Sequence, residues 1–136
     1  MLATISVGGV LGAVARFGVS SAFPHPDNHF PWATFGVNVS GCLLIGVLMV
    51  LAHEVWADNG WLRPFLGVGV LGGFTTFSTY IVDIQAAVAA GATRTALLYL
   101  VGTLAGAMLA VSAGAALTGR TVRAMRRPRL DERGTG

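Results

Sequence analysis

The chemistry of this chain is concentrated in the stretch Gly72-Gly73-Phe74-Thr75-Thr76-Phe77-Ser78-Thr79-Tyr80. Two adjacent glycines each weaken a helix by about 1 kcal/mol relative to alanine. The hydroxyls of Thr75, Thr76, Ser78 and Thr79 then compete for backbone hydrogen bonds. The stretch sits in the middle of an apolar run from Leu62 to about Ala90. The pattern predicts a helix break at membrane depth, which must be buried or line a wet cavity. Freed carbonyls at such a break can hold a hard cation such as Na⁺, and the N-terminus of the half-helix that follows attracts anions. The alternative is a close helix crossing whose hydroxyls bond back along their own helix.

Three more polar residues lie in apolar surroundings. Asn38 is an uncharged donor and acceptor well inside a second apolar run. It serves either an interhelical hydrogen bond or the wall of a pore. Tyr99 and Thr103 are four residues apart and so share a helix face. Together these residues sketch a track of donors with no carboxylate on it. A cation or drug antiporter of this size needs a mid-membrane Asp or Glu. The apolar runs offer only Asp83, near the end of the third, while Arg16 lies in the first. That pattern reads as an anion path with Arg16 at a vestibule. Phe77 and Tyr80 agree with it, because an aromatic ring edge is electropositive.

These residues have to be positioned by membrane helices. The chain has 136 residues, 54% hydrophobic and 11% charged, with a mean hydropathy of +0.69. A soluble domain carries about 25% charged residues, so a soluble enzyme is excluded. About 20 apolar residues span the hydrocarbon core. Four segments qualify: Leu2 to about Ala22, Trp32 to about His53, Leu62 to about Ala90, and about Thr95 to Thr118. The expected fold is all-α, with a four-helix transmembrane domain over residues 1–118 and an Arg-rich cytoplasmic or flexible tail over 119–136. Ala13-Val14-Ala15 resembles a signal-peptide cleavage site, but no positive charge precedes the apolar run and Arg16 follows it, so the segment reads as a span.

All nine cations are arginine, and six follow residue 119. A basic run beside a span belongs in the cytoplasm near anionic lipid, and nothing calls for nucleic acid. Gly67-Val68-Gly69-Val70-Leu71-Gly72 matches a dinucleotide fingerprint, but inside a span and without the acid that fingerprint needs. Small residues four apart, among them Gly8/Gly12 and Gly69/Gly73, read as close helix packing.

At these residues the chain resembles the CrcB/Fluc family of small fluoride channels. The matching pieces are Gly8 to Phe17, Thr34 to Gly41 and Gly72 to Tyr80. The resemblance implies a fluoride-selective channel rather than an enzyme, exporting cytoplasmic fluoride passively across the plasma membrane. It implies a dual-topology dimer of antiparallel subunits with a broken third helix. It also implies a structural Na⁺ on the backbone carbonyls of Gly72 and Thr75. The fluoride path would then include Asn38, Phe77, Ser78, Thr79 and Tyr80, with Tyr99 and Thr103 on the fourth span. Tyr80 stands where the family usually has Phe, and its extra hydroxyl could bond the ion. The rival reading, a proton-coupled exporter of the small multidrug-resistance type, lacks its first-span carboxylate. Seven arginines on the terminal side against Arg94 on the other would fix the chain one way. The second subunit is therefore either another copy or an oppositely biased homologue.

Overall fold

The computed structural model describes residues 1–57 and 60–126. Helix α1 spans Leu2–Ala22 and α2 spans Trp32–Glu54. Helix α3 comprises Pro64–Leu71, hydrogen-bonded in the wide π pattern, and the turn Gly72–Phe74 that continues it. Helix α4 is Ser78–Ala89 and α5 is Thr93–Arg126. Four helical segments are long and apolar enough to cross a membrane: Leu2–Ala22, Trp32–Glu54, Pro64–Ala89 and Thr93–Met125. The protein is a multi-pass, all-α membrane protein.

Two seams hold the helices together. Gly8 and Gly12 of α1 face Gly69 and Gly73 of the third span. A Cβ on Gly8 would lie 2.7 Å from the Phe65 carbonyl oxygen, and one on Gly12 would strike the Val70 carbonyl. Reciprocally, a Cβ on Gly73 would strike the Gly9 carbonyl. These positions admit no side chain because backbone meets backbone. The α2–α5 seam repeats the device, with Gly46 against the Val111 carbonyl and Gly114 against that of Leu43. Small residues drive helix association in lipid, where burying apolar surface gains nothing.

Between α3 and α4 the chain leaves the helical path. Thr75 is extended at φ −74° and ψ 155°, and α4 starts afresh at Ser78. Gly91, at φ 76°, makes the left-handed turn into α5.

Helix α5 runs on through Gly119 to Arg126, so residues 119–126, the first part of the expected cytoplasmic or flexible tail, are helical. Gly119 keeps a negative φ, and no proline intervenes before Pro128. Nothing in this stretch stops a helix, and its three arginines favour one. The rest of the Arg-rich tail, including Arg127, Arg129 and Arg133, lies outside the described residues.

Candidate functional site

The site gathers around the interruption in the third span. Asn38, on α2, uses its whole amide there. Its Nδ2 donates to the Thr76 carbonyl at 2.9 Å, and the Thr76 N–H donates to its Oδ1 at 2.8 Å. Asn38 thus replaces the helical partners that Thr76 lacks. The Thr75 N–H and hydroxyl both donate to the Leu71 carbonyl at 2.9 Å, closing the last turn of α3. The Thr76 hydroxyl starts α4 instead. It accepts the Thr79 N–H at 3.2 Å, as a helix cap does, and donates to the Thr79 hydroxyl at 3.0 Å.

Arg16 reaches the same place from α1. Its Nε donates to the Gly73 carbonyl at 3.2 Å, and the side chain is half-buried. Among the described residues, no hydrogen bond ends on the carbonyls of Gly72 or Thr75. These two oxygens suit a hard monovalent cation, which prefers neutral oxygen donors. No group of three His, Cys, Asp or Glu side chains able to hold a metal occurs among the described residues.

A groove of about 210 Å³ opens beside the interruption. Its polar walls are Asn38, Thr75, Thr76 and Thr103, and its aromatic walls are Phe77 and Tyr80. Cys42, Leu104 and Ala107 complete it, and no acid lines it. Thr103 is 5% exposed, yet its hydroxyl has no partner. A helical threonine usually bonds back to the preceding turn. A buried unpaired hydroxyl costs about 1–3 kcal/mol, so this one is built to meet something else. Phe77 is 72% exposed, and its ring centroid lies 5.9 Å from that of Tyr80.

Of the residues singled out from the sequence, Asn38, Phe77, Tyr80 and Thr103 meet at the groove, while Ser78, Thr79 and Tyr99 do not line it. Ser78 is exposed, and Thr79 turns to Thr76. Tyr99 is fully buried behind Tyr80, ring edge to face at 5.1 Å, and its hydroxyl donates to Asp83 Oδ2 at 3.3 Å. The Tyr80 hydroxyl, which could have reached an ion, donates to the Leu100 carbonyl at 2.7 Å. Tyr80 therefore offers the groove its ring and not its hydroxyl proton. Arg16, expected at a vestibule, bonds the Gly73 carbonyl in the last turn of α3. Thr76 and Cys42 went unmarked as site residues. Cys42 is one helical turn after Asn38, so spacing alone places it on the same face.

A helical membrane protein with a polar, acid-free groove beside an interrupted span defines a narrow class. Residues 3–115 match the family described as CrcB-like protein, Camphor Resistance (CrcB). The chain is 54% identical over 114 residues to the fluoride-specific ion channel FluC 2 of Nocardia farcinica, covering 84% of this chain and 81% of that one. It is 50% identical over 111 residues to FluC 1 of Streptomyces coelicolor, covering 82% and 72%. It is 51% identical over 118 residues to FluC 2 of Thermobifida fusca, covering 87% of each. The chain belongs to the CrcB family.

Proposed function

We propose that the protein is a fluoride-selective channel that lets the ion leave the cytoplasm passively across the plasma membrane. The observation that carries this reading is the buried, unpartnered Thr103 hydroxyl in a groove without acids. An anion stripped of water needs donors and the absence of like charge. Thr103 supplies a free hydroxyl. Asn38 Nδ2 has two hydrogens and gives one to Thr76, so one remains. Phe77 and Tyr80 add electropositive ring edges. Relatives bearing the name fluoride-specific ion channel support fluoride as the ion. A proton-coupled exporter would need a titrating carboxylate in the groove, and none lines it.

In the assembled channel the carbonyls of Gly72 and Thr75 hold a Na⁺, whose charge favours an anion nearby. A second, antiparallel subunit doubles that set of oxygens. It also covers Phe77, which a single copy leaves largely open. Ser78, Thr79 and Tyr99 act behind the groove, through the α4 cap and the packing of Tyr80. Arg16 fixes the interruption by holding Gly73.

Fluoride efflux from liposomes containing the purified protein tests the reading, with and without an imposed proton gradient. Flux that is passive and indifferent to the gradient is expected, and it should fall when Na⁺ is exhaustively replaced by a large organic cation. Flux that requires the gradient would sink the channel reading. Flux indifferent to Na⁺ would remove the ion from the assembly.

A further inference from the structure

The C-terminal part of α5 is longer than a span requires. From Arg94 to Arg120 the helix advances about 39 Å at 1.5 Å per residue, close to the roughly 40–45 Å of a bilayer with its headgroups. Arg94 and Arg120 therefore sit at headgroup depth on opposite sides. Beyond Arg120 comes Arg123, one turn on and on the same face. Its Nε donates to the Gly119 carbonyl at 3.0 Å, which draws the guanidinium back along the helix toward the hydrocarbon edge. Both arginines are exposed, and neither has an acidic partner among the described residues.

Below them on the same face lie Leu109, Ala113 and Ala116, all exposed. The order 109, 113, 116, 120, 123 follows helical three-and-four spacing, so it is a single stripe. The stripe is apolar along the span and cationic at its end. It lies on the opposite side of α5 from Ala107 of the groove and from Gly114, and its edge at Ala113 adjoins Gly106, which packs on α2.

We propose that this stripe is a binding site for an anionic phospholipid. Arg120 and Arg123 take the phosphate headgroup, and Leu109, Ala113 and Ala116 take an acyl chain. Charge and depth select this occupant: two guanidinium groups at headgroup level meet a phosphate, and the stripe beneath offers a tail only apolar contact. The inference rests on the membrane placement of α5 and not on fluoride as the ion.

The test uses the full-length protein in phosphatidylcholine vesicles doped with spin-labelled phosphatidylglycerol or spin-labelled phosphatidylcholine. The fraction of each label immobilised by the protein is read by electron spin resonance. The wild type is expected to prefer phosphatidylglycerol. The pair Arg120→Gln and Arg123→Gln should lower the preference by about fivefold or more, since each arginine near an anionic surface is worth about that factor. Arg120→Lys with Arg123→Lys keeps the charge and should keep most of the preference. Unchanged fluoride flux in the Gln pair shows that the protein still folds. A wild-type ratio near one, as when a second copy covers the stripe, overturns the proposal. So does an undiminished preference in the Gln pair, or loss of the lipid to inorganic phosphate at constant ionic strength.

Discussion

The α1–α3 seam and the groove between α2, α4 and α5 lie on either side of the same interruption and are built from opposite materials. The seam has no side chains at its heart: Gly8, Gly12, Gly69 and Gly73 let backbone touch backbone. The groove is all side chain, with Asn38, Thr103, Phe77 and Tyr80 around an open volume. One surface fixes position by excluding every alternative. The other keeps donors unspent. Arg16 and Asn38 connect them, each bonding the interrupted backbone from its own side. A membrane protein can afford an unpaired donor in one place only where the frame beside it cannot move.

The sharpest way to break the comparison is to put a side chain in the seam. Gly12→Val would drive carbon into the Val70 carbonyl and to within 2.7 Å of the Phe74 N–H nitrogen. Overpacking costs about 1–3 kcal/mol and sometimes more, and here backbone would have to move. Loss of the monodisperse peak in detergent gel filtration is the expected outcome. Gly9→Ala is the control, since nothing lies within 4 Å of a Cβ there. It should elute as the wild type does.

A smaller effect is expected at the tie between the two regions. Asn38→Leu keeps the bulk but strips both partners from the Thr76 backbone. Leaving a buried donor and acceptor unpaired costs about 1–3 kcal/mol each. The variant should melt well below the wild type and conduct at least tenfold less fluoride. A wild-type melting temperature would mean that Thr76 has other partners.

How much of this was legible beforehand depends on distance along the chain. The four spans were plain, because runs of some 20 apolar residues have no other use. Asn38 and Thr103 stood out as polar residues in apolar surroundings. The long-range pairings did not. Asn38 meets Thr76 across 38 residues, and Arg16 meets Gly73 across 57. Such meetings depend on how each helix is rotated, and composition does not encode rotation. The Tyr80 hydroxyl shows the same limit. From sequence it was a donor free to reach an ion, and only the approach of Leu100 reveals that it is taken. The helical stretch 119–126 was hidden for a different reason. Its arginines read as a solvated tail, while their helix propensity, a weaker signal, decided the backbone.

Tyr80→Phe should give the smallest change. It removes the 2.7 Å bond to the Leu100 carbonyl but leaves the ring in place. A single hydrogen bond is worth about 1 kcal/mol, so a slightly lower melting temperature and nearly unchanged fluoride flux are expected. Abolished flux would show that the hydroxyl itself meets the ion.

Thr103→Val is the most direct test that the groove carries the anion. The substitution keeps the shape and removes only the hydroxyl that has no partner within the chain. Fluoride efflux from liposomes should drop several-fold, while the melting temperature holds or rises, because an unsatisfied buried group has been removed. Thr103→Ser should restore the flux. Wild-type efflux through Thr103→Val would mean that the ion passes elsewhere.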